Sequence, residues 1–451
     1  MIWAGFLRIG KGLHPVALAV YGCLALEVPM KRTLLGTSIL ATILVATSYF
    51  AGQEPAVANA AAPGGDVSIG SGFRLLRLAI PADGRVGDIL RKNAAISGGF
   101  DVIDRRSIPA ALVRGKTFDK KAWADIGAET VVLADQVSGQ FKFRLYDIAS
   151  GSRPVLSRGY SANDPLKAAD RFMNDIIEHY TKIPGVFGSR IAFVRTNRSP
   201  TVSKNVYTVE MNGEAPSSVT SNRSLNILPS ITPGGQVLFT SYAKRNPDLW
   251  MGGGTLTRVS KQSGLNLGGT MSPSGGAIAL TLTKDGNSEI YTIDTSGTIK
   301  ARLTNNKAID GSPTWNSGGN QIAFVSNRAG GPQVFRMSAN GAGAKRVTKK
   351  GSYNQSPDWN HGTGNRGNLI AYSGRDSSNR YDVFSVDLRS GKVNRITQNP
   401  GRNLDPSWSP DGRMIAFQSS QGGIYVANEQ GNNQIQIIKA GSTPDWGPRS
   451  K

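Results

Sequence analysis

The chain has 451 residues, 39% hydrophobic and 18% charged, a balance that excludes wholesale disorder and leaves room for two or three domains. Its formal charge is +21, and its single cysteine, Cys23, denies the rest of the chain any disulfide framework or thiolate metal site. With 54 glycines and recurrent Pro-Gly, Asn-Gly and Asp-Gly pairs, the composition favours many short strands over long helices.

Residues 1–60 read as a leader. After Met30, Lys31 and Arg32 precede an apolar run from Leu34 to Phe50, and Ala58-Asn59-Ala60 supplies the small-x-small pattern of a cleavage site. A membrane anchor is the rival reading, but hydroxyl residues interrupt the run and the cleavage pattern follows it. Met30 is a candidate start, since the basic segment follows it at once. Val20-Tyr21-Gly22-Cys23 does not suit a lipoprotein site, because the tyrosine is bulky and a second signal lies behind it. Removing residues 1–60 takes four basic and two acidic residues from 52 and 31 and leaves 48 and 29, a net +19. Such a charge attracts polyanions. The basic residues are scattered singly, so for an exported protein an anionic envelope surface is a more sensible partner than nucleic acid.

Residues 61–72, rich in Gly and Ala, form a candidate flexible arm, and residues 73–184 read as a small α/β domain. Strands are predicted at 76–80, 100–103, 130–134 and 141–146, with helical patterns at 87–97 and 119–127. The clearest helix opens with Asp164 as N-cap and Pro165 in the first turn. Leu166, Ala169, Phe172, Met173, Ile176, Ile177 and Tyr180 share one of its faces.

From residue 185 to 451 the chain repeats. Ser312-Pro313-Thr314-Trp315 recurs as Ser356-Pro357-Asp358-Trp359, Asp405-Pro406-Ser407-Trp408 and Thr443-Pro444-Asp445-Trp446. Short apolar strands recur with their third residues at 193, 239, 280, 324, 372 and 417, each followed by a second strand, a Gly turn and a last strand ending near Leu303-Thr304 or Ile396-Thr397. Four strands per forty-odd residues is the signature of a propeller blade. The last Pro-Asp-Trp copy has no strands after it, and Ile191-Ala192-Phe193 has no such copy before it. Joined, they make one blade, so a six-bladed propeller closed by the C-terminal strand is expected behind the α/β domain.

Chemistry is scarce. His179 and His361 lie far apart, one expected at a helix end and the other in an exposed loop, and no Gly-x-Ser-x-Gly elbow or Walker pattern occurs. No catalytic, cofactor or metal site is expected. Asp358 and Asp445 could ring a cation, but turn-capping through Asx bonds is the preferred reading. Trp315, Trp359, Trp408 and Trp446 are expected to be core between blades. A propeller hydrolase and an anion-binding envelope protein are the alternatives to a binding scaffold.

The leader, the α/β domain and the Ser-Pro-x-Trp repeat together resemble the TolB family of periplasmic Tol-Pal proteins. Val186-Phe187-Gly188-Ser189-Arg190-Ile191-Ala192-Phe193, Asp104-Arg105-Arg106-Ser107-Ile108-Pro109 and Ala122-Trp123-Ala124-Asp125-Ile126-Gly127-Ala128-Glu129 are similar to that family's segments, and the resemblance covers roughly residues 66–451. It implies a monomeric scaffold that binds the lipoprotein Pal and the inner-membrane-linked TolA, supporting outer-membrane integrity and division, with no cofactor. The positions it implies for the Pal face are Leu265, Asn266, Gly268, Asp310, Gly311, Asn354, Gln355, Asn403 and Leu404. Those it implies for the TolA arm are Asp66, Val67, Ser68, Ile69, Gly70, Ser71 and Gly72. Gly268-Gly269-Thr270-Met271 departs from the repeat by lacking its proline and tryptophan, and the arm is short.

Overall fold

The computed structural model describes residues 75–449 apart from 115–117, 245, 399 and 400, so the expected leader, its cleavage site and the arm lie outside the described residues. No described helix is long and apolar enough to cross a membrane.

Residues 76–161 supply a mixed five-stranded sheet, ordered β2 (Phe100–Val102), β1 (Leu76–Ala79), β3 (Thr130–Val137), β4 (Gln140–Asp147) and β5 (Leu156–Ser161). β1 runs parallel to β2 and β3, and β3, β4 and β5 pair antiparallel. Edge strand β5 escapes the sequence pattern because it pairs on one side only and buries little. Four helices accompany the sheet: α1 (Gly84–Ser97), α2 (Ala110–Arg114), α3 (Lys120–Asp125) and α4 (Pro165–Thr181). The predicted cap acts as such, with Lys167 N–H donating to Asp164 Oδ1 at 3.0 Å, and Asp119 also caps α3, accepting from Ala122 N–H at 3.1 Å.

Six four-stranded sheets follow. Blade 1 joins the last strand, β29 (Ser442–Arg449), to β6 (Ser189–Asn197), β7 (Ser203–Glu210) and β8 (Ser217–Ser218). Blade 2 is β9 (Asn226–Ile231), β10 (Val237–Ser241), β11 (Asp248–Gly252) and β12 (Thr257–Ser260). Blade 3 is β13 (Asn266–Met271), β14 (Ile278–Leu282), β15 (Glu289–Ile293) and β16 (Ile299–Arg302). Blade 4 is β17 (Asp310–Trp315), β18 (Gln321–Ser326), β19 (Gln333–Ser338) and β20 (Lys345–Arg346). Blade 5 is β21 (Asn354–Trp359), β22 (Leu369–Arg375), β23 (Tyr381–Asp387) and β24 (Val393–Arg395). Blade 6 is β25 (Asn403–Trp408), β26 (Met414–Ser419), β27 (Ile424–Asn428) and β28 (Ile435–Ile438). The innermost strands touch in the cyclic order β29, β9, β13, β17, β21, β25 and back to β29, so the ring is closed.

The apolar core is divided among the seams between blades. Trp408 and Ile415 of blade 6 pack on Ala371, Val383 and Ile396 of blade 5, while Trp359 and Ile370 pack on Ala323 and Val334 of blade 4. Trp315 does the same against Ala279 and Ile290 of blade 3. A blade is two-faced and thin, and only a neighbour covers each face. The seam between blades 6 and 1 is larger: Trp446, Ile191, Met414 and Ile424 merge with Leu78, Leu90, Phe143, Phe172 and Phe187 in one cluster. The core of the N-terminal sheet and the seam that closes the ring are therefore one body.

A buried polar knot crosses that junction. Asp170 on α4 accepts hydrogen bonds from Asn93 Nδ2 of α1 at 2.7 Å and from Asn212 Nδ2, in the turn after β7, at 3.1 Å. Burial, reinforced by the neighbouring Glu210 carboxylate, pushes the Asp170 carboxyl well above the usual carboxylate range.

Trp446 anchors β29 by donating its indole Nε1–H to Ser189 Oγ at 2.8 Å, and it is buried. Trp446→Ala removes the ring and leaves that hydroxyl without its donor, so unfolding by denaturant should show a loss of about 3–5 kcal/mol. An unchanged midpoint would show that β29 does not hold the ring shut.

Candidate functional site

One residue near the start of each inner strand, the third of β9, β13, β17, β21 and β25 and the second of β29, is left-handed: Leu228, Gly268, Ser312, Ser356, Asp405 and Thr443 have φ of 52, 58, 52, 49, 52 and 46°. The pairing register to the next strand slips at each of these places. A repeated bulge therefore turns each inner strand at the same height. Gly268-Gly269-Thr270-Met271, the departure from the repeat, lies in this register with its glycine at the strained position, where no Cβ penalty applies. Leu228-Pro229-Ser230-Ile231 is a further copy that the search for Pro-x-Trp misses, because isoleucine replaces the tryptophan.

The residue two places after the left-handed one clips the inner strand to the next blade. Trp408 N–H donates to Asp358 Oδ2 at 2.7 Å, and Trp446 N–H donates to Ser407 Oγ at 2.8 Å. Ile231 N–H donates to Asp445 Oδ2 at 2.6 Å, and Thr270 Oγ1 donates to the Pro313 carbonyl at 3.1 Å. The expectation that Asp358 and Asp445 cap turns is thus corrected. Each accepts a backbone N–H of the neighbouring inner strand, a donor available there because an inner strand has a sheet neighbour on one side only. Among the described residues no group of three or more His, Cys, Asp or Glu side chains is placed to hold a metal ion. His361 is exposed, as expected, and His179 lies against the edge of Tyr180.

All inner strands start at one end of the channel, and the positions singled out for a partner face gather there. Their roles differ. Asn266, Asp310, Asn354 and Asn403 open β13, β17, β21 and β25 and are buried. Asn266 Nδ2 donates to the Gln262 carbonyl at 2.8 Å and its Oδ1 accepts from Ser260 Oγ at 2.7 Å. Asp310 Oδ2 accepts from Arg328 Nη2 and from Asn306 Nδ2, each at 2.7 Å. Asn354 Nδ2 donates to Gln333 Oε1 at 2.8 Å, and Asn403 Nδ2 donates to Asp382 Oδ1 at 2.9 Å. These four tie the start of each inner strand to neighbouring segments: the connection before it for Asn266 and Asp310, the third strand of the preceding blade for Asn354 and Asn403. Gln355, Leu404 and Gly311 are buried as well, the Gln355 Oε1 without a hydrogen-bond partner, whereas Leu265 and Gly268 reach the surface in part. The arm positions 66–72 lie outside the described residues.

The N-terminal sheet and helices meet the propeller at the other end. Arg413, in the turn before β26, donates to Thr181 Oγ1 and the Pro184 carbonyl at 2.9 Å. Asn433, after β27, donates to the Ile96 carbonyl at 2.9 Å, and Lys92 pairs with Glu214 at 2.6 Å. Both turns lie where inner strands finish. The mouth where they start is left clear by the described residues.

Burial pushes the carboxyls of Asp358 and Asp445 up to about 7, and Asp358 adds its charge to the burial of Asp445. Unfolded, each titrates near 3.9. Between those values the folded chain holds a proton that the unfolded chain has lost, so stability falls as pH rises through the window. Asp445→Asn keeps the acceptor for Ile231 and cannot ionise. It should match the parent below about pH 4 and exceed it by roughly 1–3 kcal/mol above about pH 7, read by denaturant melts across pH. A gain that is equal at both ends would disprove the ionisation.

Residues 177–381 match the family described as the TolB beta propeller domain, and residues 79–153 match the TolB amino-terminal domain. Residues 370–446 also match the N-terminal region of dipeptidyl peptidase IV, which falls within blades 5, 6 and 1. The chain is 34% identical over 462 residues to the Tol-Pal system protein TolB of Anaeromyxobacter dehalogenans strain 2CP-C, covering 98% of this chain and 99% of the relative. It is 37% identical over 411 residues to the protein of the same description from Anaeromyxobacter sp. strain K, covering 83% and 92%. The crystal structure of TolB from Acinetobacter baumannii superposes with a TM-score of 0.73 at 25% identity, covering 83% of this chain and 97% of that one. A mixed N-terminal sheet fused to the closing seam of a six-bladed propeller, with sequence likeness along nearly the whole length, makes this chain a member of the TolB family of Tol-Pal system proteins.

Proposed function

We propose that the chain is a periplasmic scaffold of the Tol-Pal system, a binding protein and not an enzyme. In this reading it binds the lipoprotein Pal at the channel mouth where the inner strands start and binds TolA through residues 66–72, and so supports outer-membrane integrity and division. Family membership supports the system, and one observation supports the face. The N-terminal sheet occupies the opposite end and leaves this mouth accessible, with Leu265 and Gly268 reaching its surface. A rigid ring of strands is a suitable base for such a site, since loops held by a stiff scaffold carry recognition.

Gly268 offers a clean probe, because a Cβ there meets nothing nearer than Leu228 Cδ1 at 3.6 Å. Its left-handed backbone tolerates asparagine best among side chains. Gly268→Asn should retain capture of Pal from an envelope extract of the same cells, and Gly268→Arg should weaken it by about tenfold or more, as expected for bulk and charge placed inside an interface. Deletion of 66–72 should abolish TolA capture and spare Pal. Undiminished Pal capture by a folded Gly268→Arg chain would remove this face from the reading.

A further inference from the structure

Each blade's outer strand leads to the next inner strand through a short connection, and every one of the six carries an exposed cation. Arg223 lies between β8 and β9, Lys261 between β12 and β13, and Lys307 between β16 and β17. Lys349 and Lys350 lie between β20 and β21, Arg402 between β24 and β25, and Lys439 between β28 and β29. None of these connections contains an aspartate or glutamate. Because each delivers the chain to the start of an inner strand, the cations encircle the same mouth.

The acids near this rim are already matched. Asp285 pairs with Lys284 at 2.6 Å and with Arg302, and Asp376 pairs with Arg395 at 3.6 Å and with Arg380. Asp248, Glu289, Asp310 and Asp382 are buried, each against an arginine of its own blade. Among the described residues no ion pair joins a rim cation to an acid. Like charges ringed about one opening raise a field that the molecule does not cancel itself.

We infer that this rim of cations receives an acidic polypeptide surface, laid across the mouth. The inference rests on the proposed binding role of that face and specifies the chemistry of what binds there. An anionic chain does not thread the bore, because Asp358, Asp405 and Asp445 stand on the inner strands β21, β25 and β29. A lipid surface fits less well. Membrane-bound faces combine cations with a broad apolar belt, whereas the exposed large apolar side chains on the mouth's loops are Val202 and Tyr242, both on blades 1 and 2. One aromatic and one aliphatic residue within a charged rim suit a protein interface.

The full chain is tested with poly-L-glutamate and with phosphatidylglycerol vesicles as probes. The rim variant carries Lys307→Glu, Lys349→Glu and Arg402→Glu. The control, with the same change in net charge placed elsewhere, carries Lys120→Glu, Lys345→Glu and Lys392→Glu. Poly-L-glutamate should bind the parent and lose about tenfold or more in affinity between about 50 and about 300 mM salt. The rim variant should bind it at least about tenfold more weakly than the control. Equal weakening in both variants, no binding of the polyanion, or rim-dependent binding of vesicles as tight as that of the peptide would each overturn the inference. Capture of Pal by the rim variant as strong as the parent's, and insensitive to salt, would overturn it while leaving the Pal reading intact. Rim-dependent peptide binding without any Pal capture would overturn that reading alone.

Discussion

Everything in this molecule depends on the seam where β29 pairs with β6. A propeller blade buries its faces only against neighbours, so an unclosed ring would leave two apolar faces exposed. Here the closing seam carries more than one blade's share. Trp446, Ile191 and Met414 lie in the same cluster as Phe143, Phe172 and Phe187, so the N-terminal sheet's core and the ring's closure stand or fall together. The polar knot of Asn93, Asp170 and Asn212 marks the same junction, and its buried amides and carboxyl tolerate only one alignment of the helices on the turn after β7.

The channel is organised by a backbone irregularity repeated six times. A left-handed residue costs about 1–2 kcal/mol wherever it is not glycine, and five of the six copies bear that cost. Two places beyond it, in blades 5, 6 and 1, a side chain accepts a backbone N–H of the neighbouring inner strand. Two of those clipping residues are carboxylates, Asp358 and Asp445, placed where little water can solvate their charge. Strand direction, bulge and side-chain clip are thus a single device for locking adjacent inner strands at the same height.

The same geometry separates the molecule's two ends. Turns where inner strands finish bear the N-terminal sheet through Arg413 and Asn433. Connections where they start carry the cationic rim and cover a floor of Asn266, Asp310, Asn354 and Asn403. Those four residues repeat because each ties the start of an inner strand to the chain or blade before it. That structural duty explains their position at the mouth without any partner.

Much of the architecture was legible in the amino-acid order. Trp315, Trp359, Trp408 and Trp446 mark the repeat because a large ring fills four of the six seams, and the unmatched copies at Ile191 and Trp446 announced the shared first blade. Helix α4 was legible from Asp164, Pro165 and its apolar face, since capping and periodicity are local. Sequence by itself thus determined the blades, their number and the closing partner, all of which follow from short-range patterning. Only the tertiary structure decided which polar residues are buried supports and which cations share a face. Lys261, Lys307, Lys349 and Arg402 stand far apart along the chain, and they converge only because a closed ring of equal repeats returns every connection to the same mouth.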